Sequence, residues 1–177
     1  MSKIRVLIVD DSFFMRKAIS TILTDEEIEI IGSAQNGREG VEKARELKPD
    51  VITMDVEMPE MNGLEALKVI MDTNPTPVIM ISTLTMEGAE ATIEALSSGA
   101  IDFITKKPAF RDMDSMRQEI LAKVKEIGRN SNLRNRINRN KLLQRMTSSE
   151  IDARIEENSK LYKLRPGTKP KKESIKA

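Results

Sequence analysis

Five short aliphatic runs recur along the chain, and a stretch with helical periodicity follows each of them. The runs are Ile4 to Val9, Ile28 to Ile31, Val51 to Met54, Val78 to Ile81 and Ile101 to Ile104. Runs of this length, bounded by turn residues, read as buried strands. The intervening stretches place apolar residues on one helical face: Met15, Ile19, Ile22 and Leu23 in the first, Val41, Ala44 and Leu47 in the second. Leu64, Leu67 and Ile70 mark the third, Ala89, Ile93 and Leu96 the fourth, and Met116, Ile120, Val124 and Ile127 the fifth. Strict alternation of strand and helix predicts an α/β fold, a parallel sheet with helices on both faces. Right-handed crossovers then restrict the topology. The expected fold is a flavodoxin-like (βα)5 doubly wound sheet of order 2-1-3-4-5, whose crevice opens between strands 1 and 3. Gly32 is expected to end strand 2.

The carboxyl ends of these strands carry the polar residues that stand out. Asp10 and Asp11 follow the first run, and Asp55 closes the third. Pro59 cannot continue a central strand and Gly63 suits a tight backbone, so a constrained loop should follow Asp55. Ser82 and Thr83 follow the fourth run, and Thr105, Lys106, Lys107 and Pro108 the fifth. Taken singly, each has a bland explanation: a solvated turn carboxylate, a helix cap, a solvated lysine. Together they put three acids, a hydroxyl and an ammonium on one rim. Three converging carboxylates repel one another, and at least one pKa must rise unless a cation joins them. The chain has no Cys and no His, so any metal would be held by oxygen. Mg²⁺ fits such a site and is commonly shared with phosphoryl oxygens. Lys106 can pair with phosphoryl charge and the Ser82 hydroxyl can hydrogen-bond a phosphoryl oxygen. A carboxylate beside Mg²⁺ can form an aspartyl phosphate.

Composition bounds the rest. Hydrophobic residues make up 39% of the 177 positions but aromatics only 3%, so the core must be aliphatic and Met-rich. No apolar run approaches a membrane span, and the N-terminus is unlike a signal peptide, so a cytoplasmic protein is expected. The net charge of +1 hides an asymmetry. Residues 1–127 hold 15 Lys and Arg against 23 Asp and Glu, whereas the remaining residues hold 14 against 5. This predicts an acidic domain over 1–127 and a basic extension over 128–177. Leu133, Ile137 and Leu142 hint at a polar helix there. Thr147 and Glu150 have capping-box spacing, and Ile151, Ile155, Leu161 and Tyr162 follow. Pro166-Gly167 breaks that segment, and the Lys-rich end is expected to be disordered.

The rim residues and their flanks resemble the receiver domain of two-component response regulators. The likeness covers residues 3 to about 127 and is nearest to the receiver of chemotaxis protein-glutamate methylesterases. It is carried by Asp55-Val56-Glu57-Met58-Pro59-Glu60-Met61-Asn62-Gly63, by Ser82-Thr83-Leu84-Thr85, and by Gly99 through Lys106. The resemblance implies that Asp55 accepts a phosphoryl group from a histidine kinase. It implies that Asp10 and Asp11 hold Mg²⁺ with Asp55 and the backbone carbonyl of Glu57. Ser82 would be the switch hydroxyl, Phe103 the switch aromatic and Lys106 the phosphoryl-binding lysine. A second lysine, Lys107, precedes Pro108 where the family usually has Lys-Pro; Lys106 keeps the spacing from Gly99 and Ser82, with Lys107 as the alternative. Asn62 replaces a usual Asp. An output surface on the fourth helix, fifth strand and fifth helix would meet a downstream protein, in chemotaxis-type signalling. Homodimerisation is left open.

The methylesterase activity itself is not expected, because a Ser-His-Asp triad needs a His and a second domain. A free-standing phosphatase of the haloacid-dehalogenase type fits poorly, since Glu57 stands where a second Asp would be. A phosphorylation-controlled regulator that binds nucleic acid through its basic tail is the alternative function. The extension has the cations for it but a single aromatic, Tyr162.

Overall fold

A computed structural model describes residues 2–83, 86–106, 113–130 and the single positions 133, 137 and 153. Five strands alternate with five helices: β1 (Ile4–Val9), α1 (Phe13–Ile22), β2 (Ile28–Ala34), α2 (Gly37–Leu47), β3 (Val51–Asp55), α3 (Gly63–Thr73), β4 (Val78–Thr83), α4 (Met86–Ser97), β5 (Asp102–Lys106) and α5 (Met113–Arg129). All four strand pairings are parallel and the order is β2-β1-β3-β4-β5, as the alternation predicts. The chain divides into two compact units, 1–141 and 142–177, and the second contains only one described residue, Ala153. The extension's expected capping box, its break at Pro166-Gly167 and its expected disordered end lie outside the described residues.

Two aliphatic layers sandwich the sheet. On one face Val6, Ile8, Val51, Ile79, Ile81 and Ile104 meet Ile19 and Ile22 of α1 and Met116, Ile120, Val124 and Ile127 of α5. On the other, Leu7, Ile52, Met54, Val78 and Met80 meet Ala44 of α2, Leu67 and Ile70 of α3, and Ala95 of α4. The central strands β1 and β3 are covered on both sides, which is why their sequences are nearly continuous in apolar residues instead of alternating. Side chains still alternate between the layers with the strand period of two. Positions 51, 53 and 55 therefore belong to the α1/α5 side and 52 and 54 to the α2/α3/α4 side.

The helix starts are chemically explicit. Ser12 Oγ accepts from Met15 N, Asn36 Oδ1 from Glu39 N and Asn62 Oδ1 from Glu65 N, each closing the first turn of its helix. Asn62 also donates to Glu65 Oε1, so the Asn that stands where an Asp is usual keeps a capping role. Helix α2 ends on Lys48 in the left-handed region, φ 47°.

One expectation needs correction. Strand β2 does not stop at Gly32 but runs to Ala34. The register shifts between Val6 and Leu7, which face Ile30 and Gly32, so Ile31 is an inserted bulge residue. Gly32 lies where a Cβ would stand 3.0 Å from Leu47 Cδ1, so the glycine serves packing against α2 and does not end the strand.

Thr53 sits mid-strand in β3 and is 1% exposed, and its Oγ1 has no hydrogen-bond partner among the described residues. A buried hydroxyl without a partner costs about 1–3 kcal/mol. Thr53→Val should therefore raise stability by about 1 kcal/mol in urea unfolding. A loss of stability would show that the hydroxyl is satisfied.

Candidate functional site

The strand order sets β1 and β3 side by side, with Val9 opposite Met54. The chain leaves both strands at the same rim, and Asp10, Asp11 and Asp55 meet there. One carboxylate oxygen from each lies within 4.8 Å of the others. Asp10 is fully buried, Asp55 is 6% exposed and Asp11 is open to solvent.

Asp10 is held at every polar atom. Its N–H donates to Ala34 O at 3.0 Å, continuing the β1–β2 ladder. Its Oδ1 accepts from Ser12 N at 2.9 Å and its Oδ2 from Lys106 Nζ at 2.9 Å. Its carbonyl accepts from Arg16 Nη1 at 2.7 Å. Arg16 is a site residue that helical periodicity does not reveal. It falls outside the apolar face of α1, and its role appears only once the helix start is seen folded back on the acidic turn. Phe13 adds its ring 5.8 Å from the Arg16 guanidinium carbon.

Lys106 closes the site from β5. Its Nζ stands 2.9 Å from Asp10 Oδ2 and 3.2 Å from Asp55 Oδ2, with the side chain largely buried. Lys107 lies outside the described residues. Burial works against the Lys106 ammonium, but the bond to Asp10 and the charge of Asp55 outweigh it, so its pKa is raised. Asp55 moves the other way from an ordinary carboxylate. Burial, opposed by Lys106 and aided by Asp10 and Asp11, pushes it up to about 6. Among the described residues one ammonium faces three acids, an imbalance of charge that a divalent cation would offset.

The loop after Asp55 is tied at three points. Gly63 N donates to Val56 O at 2.7 Å, Met61 N to Pro59 O at 2.7 Å, and Gly37 N, from the start of α2, to Met61 O at 3.0 Å. Glu60 takes the left-handed region, φ 65°. Gly63 is required by space: a Cβ there would lie 1.9 Å from Asp55 O. Gly37 is required for a related reason, with Met61 O 2.4 Å from the position of a Cβ. The loop thus sets the backbone around Glu57, whose side chain is exposed.

Ser82 is 5% exposed and lies one residue past Ile81, the β4 partner of Asp55. It pairs in register with Thr105, next to Lys106. Phe103 is half-buried and packs against the layer that holds Met80. The strand period puts Ser82, two residues beyond Met80, on the same side of the sheet as Phe103.

A (βα)5 sheet of this order, with an acid triad between β1 and β3 and a lysine from β5 reaching two of its members, is the architecture of a receiver domain. The receiver-domain family of response regulators matches residues 6–121, and the chain belongs to that family. Its relatives include the protein-glutamate methylesterase/protein-glutamine glutaminase of Archaeoglobus fulgidus, 58% identical over 121 residues, or 68% of this chain. The Methanococcus maripaludis protein of the same description is 44% identical over 155 residues, 86% of this chain. The chain spans about a third of the Archaeoglobus protein's length, 35%, and 42% of the Methanococcus protein's. Among solved structures, the response regulator domain of Thermotoga maritima CheB is 51% identical with TM-score 0.67, covering 73% of this chain and 98% of that one. The structure of a CheX-CheY-BeF3-Mg²⁺ complex from Borrelia burgdorferi includes a chain 35% identical to this one, TM-score 0.62, covering 71% and 90%. No helix among the described residues is long and apolar enough to cross a membrane.

Proposed function

We propose that this receiver is a phosphorylation-controlled switch in chemotaxis-type signalling, with Asp55 as the acceptor. The observation that carries the reading is the convergence of Asp10, Asp11, Asp55 and Lys106 on one rim. An Asp55 carboxylate oxygen attacks the phosphorus of a phosphohistidine on the donor kinase. The new O–P bond forms as the P–N bond breaks, and the imidazole leaves with the electron pair. Asp10, Asp11, Asp55 and the carbonyl of Glu57 would hold Mg²⁺. That ion would offset the negative charge that gathers as phosphoryl oxygens approach three acids. Lys106 pairs with a phosphoryl oxygen, and Ser82 offers its hydroxyl to another.

The phosphoryl group adds about −1.5 to −2 charge at neutral pH. It shifts the balance between two pre-existing conformations, with Ser82 drawn toward the site and Phe103 following on the same side of the sheet. The readout face is α4, β5 and α5. Ile93 and Leu96 of α4 are exposed at 69% and 48%, large apolar side chains open to a partner. Lys123 of α5 is ion-paired with Asp102 of β5, joining two of the three elements. The identity to methylesterase receivers supports the chemotaxis assignment. We read this chain as a signalling module without esterase activity, because its 177 residues contain no His for a Ser-His-Asp triad.

The test is incubation with acetyl phosphate and Mg²⁺, read by intact mass. Wild type should gain one phosphoryl group, and chelation should abolish the gain. No adduct at any Mg²⁺ concentration would overturn the reading. Lys106→Met should separate two roles of the lysine. With the internal ammonium gone, the acids should bind Mg²⁺ roughly tenfold more tightly by calorimetry, a Coulomb effect between close charges. Phosphoryl labelling should nevertheless fall. Weaker Mg²⁺ binding would show that Lys106 holds the acids in place more than it competes for them.

A further inference from the structure

The packing of the receiver continues past its last helix. Gly128, near the end of α5, lies so close to the start of β1 that a Cβ would stand 2.4 Å from Ile4 Cγ2. The chain then turns: Asn130 N donates to Ile127 O at 3.2 Å, and Leu133 N to Asn130 O at 3.1 Å. Leu133 packs against the layer that contains Ile4, Ile28 and Ile127. Ile137 is 7% exposed. Both residues are helical. Ile4 and Ile28 open their strands, so this contact is at the pole opposite Asp10 and Asp55.

Charge favours the same place. Residues 130–141 include Arg134, Arg136, Arg139 and Lys141 and no acid. The turn before β2 offers Asp25, Glu26 and Glu27 in succession. Lys125 already pairs with Asp25 at 2.7 Å and Arg129 with Glu27, so this acidic corner gathers cations from the end of α5.

We propose that Leu133 and Ile137 form a standing cap on the base of the receiver. Leu133 and Ile137 are then fixed to the receiver at the pole opposite the acidic site. The cap is a permanent part of the domain and belongs to its hydrophobic core.

The experiment uses the full chain. Leu133→Ala/Ile137→Ala should raise the unfolding equilibrium constant in urea by roughly 30-fold or more, the scale for truncating packed aliphatic side chains. Mg²⁺ affinity of the folded protein, measured by calorimetry, should stay unchanged. Leu133→Met should retain most of the stability, and Ile93→Ala, which trims an exposed residue, should change it little. Amides of residues 133 and 137 should exchange slowly with solvent. A double variant within about threefold of wild type, a scale on which surface truncations fall, or fast exchange at both amides, would overturn the proposal. So would a loss of Mg²⁺ affinity matching the loss of stability, because the cap would then be acting on the acidic site.

Discussion

Asp55→Asn is expected to abolish phosphoryl labelling and to stabilise the metal-free protein. The first effect follows from chemistry: an amide is not a competent nucleophile, so no adduct should form with acetyl phosphate and Mg²⁺. The second follows from electrostatics. Burial and the neighbouring acids push Asp55 up to about 6, against an ordinary value of 3.8. Between those values the folded protein holds a proton on Asp55 that the unfolded chain has lost. Folding stability contributed by this group is therefore present at low pH and falls as pH rises from about 4 through about 6. The neutral amide does not titrate. The stability advantage of Asp55→Asn should grow across that window and level off above it. Paired urea titrations at several pH values, with chelator present, would measure it. Saturating Mg²⁺ should shrink the advantage at neutral pH, since the cation offsets the same repulsion. An advantage that is flat with pH would mean that Asp55 is not the strained acid of the triad. An adduct that persists in the variant would move the acceptor elsewhere.

Gly63→Ala should be among the most damaging single substitutions in the domain. Its Cβ would lie 1.9 Å from Asp55 O and 2.9 Å from Asp55 C, inside any allowed contact. The obstacle is backbone, not the end of a flexible side chain. The Gly63 N–H also bonds Val56 O at 2.7 Å, so α3 cannot retreat without breaking that bond. Losses above about 4 kcal/mol are rare for single substitutions and arise from clashes of this kind. We expect a loss of at least about 3 kcal/mol, with phosphoryl labelling falling in the fraction that remains folded because Asp55 itself is displaced. Gly40→Ala is the matched control. A Cβ there meets the Val9 side chain, its methyls at 3.0 and 3.1 Å, and alanine is favoured over glycine within a helix by about 1 kcal/mol. It should be tolerated far better. Equal damage from both would assign the effect to general loss of glycine flexibility and not to the Asp55 carbonyl.

Which residues of this chain reach the functional rim was legible in the sequence. The aliphatic runs end at Val9, Met54 and Ile81, and once the strands are parallel the polar residues that follow them gather at one edge of the sheet. Asp10, Asp11, Asp55, Ser82 and Lys106 are legible for that reason: strand period and crossover handedness are local rules that fix a global edge. The helix caps at Ser12, Asn36 and Asn62 each bond within their own first turn.

The contacts that make the rim a site were decided only by the tertiary structure. Lys106 reaches Asp10 across 96 positions of sequence, and Gly37 bonds Met61 across the gap between α2 and the β3–α3 loop. Arg16 reads as a polar helix residue until α1 is placed, when it proves to hold the Asp10 carbonyl. The bulge at Ile31 and the unpartnered hydroxyl of Thr53 likewise depend on neighbours that no periodicity encodes. Hydrophobic period tells each element which face to bury. The distances that raise the pKa of Asp55, and that leave no room for a side chain at Gly63, arise only when separate elements pack to contact.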